Sequence, residues 1–492
     1  MRWGRLGNRL HRAALLLAVL GAVVGGLAIA GLTWWLLWWL LGVKAETPNQ
    51  LDLTKIALSV AAGVGAAVAL VVAYRRQRDL ERGRFAELFG AAARQLGDVD
   101  PAVRMAGVYA MAGVADEFST PSRRQQCIDV LCGYLRMPYS PDDGANHLVS
   151  LTESTVQAGT TMERKYQYRQ NDRDVRRTIV ALIANHLRRG ADVSWSACDF
   201  DFTGALLEDA DFSHAIFAGQ HTYFTRAKLV GSSSTRFDRA KFIGTHVTFR
   251  GALFCGGAAI FDDAEFSPGG GGRSELGGFG TAFVDAIFRC SISFERAVFR
   301  GVRTTFEGAL MEGTRSSFMG VRFEGQLTSF VGARFVGPET SFTDVAFRAE
   351  FTSFECAIFD GDHIAFDRAE FSSARIMFTG SQFRATTVAF DDARIGVTPR
   401  LRVRGTRETD FTLAEFHGAI TFARTVLGGR TVDFTEADFF GDISFLGTRF
   451  AAQEIHFDRP KAWVGTHFDW DDVPTRKPTG VKPNPWPPAT SA

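Results

Sequence analysis

Ten histidines and six cysteines are the side chains best able to hold a metal or to act as acid, base or nucleophile. Their spacing gives them no such task. Cys127, Cys132, Cys198, Cys255, Cys290 and Cys356 form no CxxC pair and have no histidine nearby at zinc-ligand spacing. Reduced, buried thiols are expected, which favours a cytosolic setting for everything after residue 80. His214, His221, His246, His363, His417 and His456 fall in repeat positions without a recurring Ser, Asp or Cys partner. Asp262-Asp263 and Asp391-Asp392 follow a phenylalanine at turn positions, where both carboxylates should face solvent. The glycine-rich stretch SPGGGGRSELGGFG, residues 267–280, lacks the GxxxxGK[ST] order of a phosphate loop and reads as a linker. No catalytic, cofactor or metal site is expected, and the chain reads as a non-enzyme.

Two arginine groups could meet an anion. Arg400, Arg402, Arg404 and Arg407 alternate as on a strand and would give one basic edge for an acidic partner. Arg173, Arg176, Arg177, Arg188 and Arg189 could face nucleic acid or lipid headgroups, although a solvated helical face is the simpler reading. Total charge favours no partner, since 55 basic and 54 acidic residues nearly cancel.

The elements that would position these residues begin with a membrane hairpin. After a basic stretch, residues 1–12, the uncharged run 13–42 exceeds the roughly 20 residues that cross a bilayer. A polar loop, 43–55, leads to a second apolar run, 56–74. Arginines at both outer ends place the termini on the cytoplasmic side, and Trp34, Trp35, Trp38 and Trp39 near the far interface. Gly21 and Gly25 form a GxxxG that would let helices approach closely.

Residues 75–195 read as a helical neck. Leu80, Arg84, Leu88 and Ala92 continue the second membrane helix until Gly97. Asp100 caps a next helix with Pro101 in its first turn, and QQCIDVLCGYLRM supplies another, stopped by Pro138. The segment SPDDGANHLVSLTESTVQAGTT is expected to be a mobile loop. Asp172 to Arg188 then echoes the earlier helix, Val175-Arg176 matching Val103-Arg104, in the manner of HEAT-type helix pairs.

Only Phe85, Phe89 and Phe118 of 44 phenylalanines precede residue 200, so the remainder of the chain is a repeat. Phe202, Leu207, Phe212 and Phe217 are five apart, with Ala205, Ala210 and Ala215 two residues before the last three. Beyond Phe224 the steps alternate between five and seven, as at Phe237, Phe242, Phe249, Phe254, then at Phe330, Phe335, Phe342, Phe347 and again at Phe366, Phe371. Two such units make a 24-residue coil with four sides, and stacked coils about 4.8 Å apart would carry a continuous aromatic ladder. Roughly ten coils from 235 to 468 would extend about 45–50 Å at that spacing.

The A-x-[LF]-x-x pattern of residues 200–219 resembles the pentapeptide-repeat family. The resemblance implies a right-handed quadrilateral β-helix over 196–470, so the fold class is mainly β, preceded by the transmembrane hairpin and the small α-helical neck. The whole arrangement looks like membrane-anchored pentapeptide-repeat proteins of actinobacteria with a 12-residue Phe-rich repeat. The proline-rich tail, 471–492, is expected to be disordered or extended, with Pro485 and Pro488 forming a PxxP.

These readings lead to a non-enzymatic scaffold, tethered to the inner membrane by two helices and presenting its repeat domain to a cytoplasmic protein of unknown identity. The lipid bilayer is its other partner. Self-association through the membrane helices or the rod end stays open. The alternative is a DNA mimic, because some pentapeptide-repeat proteins bind type II topoisomerases through an acidic rod. The count of 35 acidic and 28 basic residues over 196–470, with the signs interleaved, is too sparse to imitate a phosphate every 1.7 Å or so, and nucleic acid is not an expected partner.

Overall fold

The structure is a computed structural model that describes residues 49–139, 150–157, 160–167, 171–269, 280–397 and 407–490, with isolated positions between 24 and 39. It divides into two compact units, Met1–Gly90 and Ala91–Ala492. The first apolar run, 13–42, lies mostly outside the described residues. Helix α1 runs from Asn49 to Leu96, so residues 49–55 are helical and not loop. Among the described residues one helix is long and apolar enough to cross a membrane, with a mean hydropathy of 1.8 over its most apolar window within Leu58–Leu96.

In the second unit, α2 (Pro101–Glu117), α3 (Pro121–Arg136) and α4 (Asp172–Leu187) pack together. Asp100 caps α2 by accepting from the Ala102 amide at 2.8 Å. Gly107 lets α2 close on the end of α1, for a Cβ there would stand 2.6 Å from the Leu96 nitrogen. The matched arginines Arg104 and Arg176 are both buried and both approach Asp172, at 3.7 and 2.7 Å. Each also ties down backbone beside a helix end: Arg104 donates to the Asp98 and Val99 carbonyls, Arg176 to those of Leu135 and Met137.

The segment expected to be a mobile loop contains a β-hairpin, β1 (Ser150–Gln157) paired antiparallel with β2 (Thr160–Gln167). Its Thr and Val content suits strands. The rest of the loop, 140–149, lies outside the described residues.

From residue 200 the chain is a β-solenoid of about 11 turns built from four parallel sheets, one of 12 strands and three of 10. Arg303 pairs with Leu327 and Leu327 with Phe351, so one coil is 24 residues. Two sides carry three-residue strands, such as Phe351–Ser353 and His363–Ala365, and two carry two-residue strands, such as Ile358–Phe359 and Glu370–Phe371. This is the physical origin of the five-and-seven spacing.

Between them the chain turns a corner. Ala369 donates its amide to the Phe366 carbonyl at 3.0 Å and Arg368 has φ 55°, the signature of a type II turn. The alanine is fully buried beneath the ring, which is why a small residue stands two places before the next phenylalanine.

Inside, rings stack coil on coil. Phe318, Phe342, Phe366 and Phe390 follow at 4.8, 4.9 and 4.7 Å, within 8° of parallel, while neighbouring columns meet edge to face, as Phe330 and Phe342 do at 5.9 Å. Each buried ring is worth about 1.5–3 kcal/mol from burial, with up to about 1.5 more from a good ring pair. The excursions at 270–279 and 398–406, which lie outside the described residues, leave the ladder intact: Phe249 stacks on Phe283, and Phe378 on Phe411, each at 4.7 Å.

The tail corrects the expectation of disorder. Val481–Lys482 adds a last strand beside Glu454–His456, and Trp486 packs edge-on against Phe468 at 5.0 Å. With Trp463 and Trp470 it covers rings that the final coil would otherwise expose to water. Pro485 and Pro488 therefore flank a docked indole, and Pro488 is itself buried.

Candidate interaction surfaces

The ladder named from the repeat, Phe202, Leu207, Phe212, Phe217, Phe237, Phe242, Phe249, Phe254, Phe330, Phe335, Phe342, Phe347, Phe366 and Phe371, is buried at every position. These side chains fill the inside of the coils, so recognition falls to the outer faces, corners and ends.

At the first coil the neck is joined to the solenoid by a seam of opposite charges. Arg173 donates to Glu208 through Nε at 3.0 Å and Nη2 at 2.6 Å, and the Tyr139 hydroxyl donates to the same carboxylate at 2.9 Å. Burial and this carboxylate push the Tyr139 phenol up to about 12. Arg177 pairs with Asp209, Arg188 with Asp211 at 3.2 Å, and Arg136 with Asp201. Gln125 extends the coil edge as a strand would, donating to the Asp199 carbonyl and accepting from the Asp199 amide, both at 2.8 Å. Arg173, Arg176, Arg177 and Arg188 are thus neither a solvated face nor an anion patch. The seam could have been found in the sequence, because a block of arginines at 173–189 is followed at once by Asp199, Asp201, Glu208, Asp209 and Asp211.

Along one corner of the solenoid, charged residues in the left-handed conformation alternate in sign. Arg239, Asp263 and Arg296, then Asp344, Arg368, Asp392 and Arg424, all have φ between 55° and 59°. Asp263 accepts from Arg296 at 2.9 Å, Asp344 from Arg368 at 2.7 Å and Asp392 from Arg424 at 2.9 Å. These guanidinium contacts hold the three carboxyls below the usual carboxylate range. The corner between the other two sides mixes glycine with other residues in the same conformation: Gly204, Gly251, Gly308, Gly332 and Gly380 have φ of 61° to 68°, and Arg226, Asp285, Cys356, Leu413, Glu436 and Arg459 have φ of 54° to 59°. Each edge uses both devices, for Gly320 and Gly447 interrupt the charged corner and Glu436 pairs with Arg459 at 2.9 Å on the other.

The paired aspartates divide their roles. Asp263 faces its arginine, but Asp262 turns to the next coil, accepting from Ser293 and from the Glu295 amide at 3.0 Å, and burial raises its carboxyl. Asp391 likewise accepts from Thr421 at 2.9 Å. The expectation that both members face solvent holds for neither pair, because the first member bridges coils.

Arg400, Arg402 and Arg404 lie outside the described residues; Arg407 is half-buried, and its backbone carbonyl accepts from Arg430 at 2.9 Å. His221 stacks on His246 and pairs with Asp199 at 3.1 Å, while His417 pairs with Glu415 at 3.3 Å and His363 with Thr387 at 2.8 Å. Among the described residues no group of three or more His, Cys, Asp or Glu could hold a metal ion. All six cysteines are free; Cys127, Cys132, Cys198 and Cys290 are buried, and burial raises the first two to about 12. Cys356 is exposed on the glycine-rich corner and Cys255 is half-buried, contrary to a uniformly buried set.

Comparison of the chain with protein-family models, with curated proteins and with solved structures finds no match.

Proposed function

We propose that this chain is a membrane-tethered, non-enzymatic scaffold of the pentapeptide-repeat type, with a right-handed coil and a two-helix hairpin in the inner membrane, presenting the solenoid to a cytoplasmic protein. The observation that carries this reading is the solid aromatic interior closed at both ends, by the neck seam and by Trp463, Trp470 and Trp486. Among the described residues such a body offers regular outer faces and a ladder packed solid with rings. The charge pattern weighs against the DNA-mimic alternative, since Asp263, Asp344 and Asp392 each carry an arginine where a duplex mimic needs unpaired carboxylates.

The test is photocrosslinking in cells from a reactive residue placed in turn at Leu310, Arg322, Leu327 and Glu339, one on each side of the solenoid, in the full chain. One protein captured from one side supports the scaffold and identifies its face. Equal background from all four overturns it.

A further inference from the structure

One row of outward side chains on the 12-stranded sheet has a missing rung. Successive coils place His221, His246, Gly280, Arg303, Leu327, Phe351 and Arg375 in register, so among the described residues Gly280 leaves a space between an imidazole and a guanidinium. The glycine is obligatory, because a Cβ there would stand 2.1 Å from the Arg303 carbonyl oxygen. Thr248, Ala282 and Thr305 in the parallel row keep the space open, and the resulting notch measures about 260 Å³.

Two coils separate His246 from Arg303, about 9.6 Å at the usual strand spacing. That is one ring in a stack whose interior rungs lie 4.7–4.9 Å apart. The same row shows the contact in a filled form, with the Arg375 guanidinium 5.5 Å from the centre of the Phe351 ring on the preceding coil. On the other wall His221 and His246 already stack at 5.5 Å and 9°.

The geometry points to a binding site for a free, neutral, planar heteroaromatic molecule of purine or indole size, inserted between His246 and Arg303. Neutrality follows from the flanking charges, which are balanced: Arg303 donates to Glu307 at 3.1 Å and His221 pairs with Asp199 at 3.1 Å. Cation–π attraction and stacking favour a flat ring over a saturated one, and the Tyr223, Thr248 and Thr305 hydroxyls suit polar ring edges.

The test uses the full chain in lipid nanodiscs, with adenine as probe, cyclohexanol as a non-planar control and saturation-transfer NMR as readout, blanked against empty nanodiscs. Saturable adenine binding is expected, weakened at least tenfold in both Arg303→Gln and His246→Ala and unchanged in Arg375→Gln. Absence of saturable binding, equal transfer to cyclohexanol, or undiminished binding in either of the two notch variants overturns the site. Circular dichroism matching the parent chain establishes that each variant is folded, and either notch variant suffices if the other is not.

Discussion

Arg104 and Arg176, on different helices, close on the same carboxylate: Asp172 lies 3.7 Å from the first and 2.7 Å from the second, with all three side chains buried. A single negative charge holds two guanidiniums, while Arg104 Nη1 reaches carbonyls in the turn before α2 and Arg176 Nη1 and Nη2 reach carbonyls at the end of α3. Removing the carboxylate strands two buried cations. Asp172→Ala is expected to destabilise the neck by about 3–5 kcal/mol, read as lost hydrogen-exchange protection across α2–α4 while the distal coils keep theirs.

The aromatic ladder should tolerate a change of chemistry better than a loss of volume. Met311, Ile395 and Leu427 already occupy ladder positions and are fully buried. Phe359, stacked between Phe335 and Phe383 at 5.1 and 4.9 Å in the column that holds Met311, is therefore expected to cost less than about 1.5 kcal/mol as Phe359→Met. Phe359→Ala should cost about 3–5 kcal/mol. Urea denaturation of both variants measures the difference.

Adjacent carboxyls at one corner should titrate apart. Burial raises Asp262, whereas the hydrogen bond from Arg296 lowers Asp263. The Asp263 contribution is present above the unfolded carboxyl value, about 3.9, and disappears as pH falls through its lower folded value. Asp262 has the opposite sign, stability falling as pH rises from the unfolded value through the higher folded one. Carbon-detected NMR of labelled aspartates should show the order Asp263 before Asp262 on raising pH, and Arg296→Gln should bring the two midpoints together.

The alternating corner separates strain from charge. Arg368 has φ 55° and its side chain and that of Asp344 are about half exposed, so their pair is worth roughly 0–1 kcal/mol. Glycine removes the steric penalty of the left-handed conformation, about 1–2 kcal/mol. Arg368→Gly is expected to be as stable as the parent or slightly more stable, with Arg368→Ala the least stable of the three. Thermal melts at low and high salt check this, salt narrowing the gap between parent and alanine variant.

Ending the chain after Asp471 should remove the last strand and the Trp486 plug. The exposed edge is then free to pair with another chain. Light scattering is expected to show concentration-dependent growth in the truncated chain and none in the full one.

The ladder was legible because each phenylalanine solves the same local problem on every coil, and a repeated problem leaves a period in the sequence. The Val103-Arg104 echo was legible for the same reason, although their common partner Asp172 was not. Partners across long sequence separation leave no period: Arg173 and Glu208 lie 35 residues apart and meet once. The tail misled because its prolines suggest an extended chain, while Trp486 supplies the anchor that composition hides among them. The hairpin carried no alternation of apolar and polar residues, for the side chains described on its strands are largely exposed on both faces.

The coil-to-coil register also fixes how the protein would respond to force. A load applied along the stack from its two ends pulls neighbouring coils apart, and each coil that peels away frees 24 residues, roughly 80 Å of extended chain, in exchange for one strand spacing. The molecule would lengthen in repeated discrete steps under tension and act as a shock absorber whose extension is counted in coils.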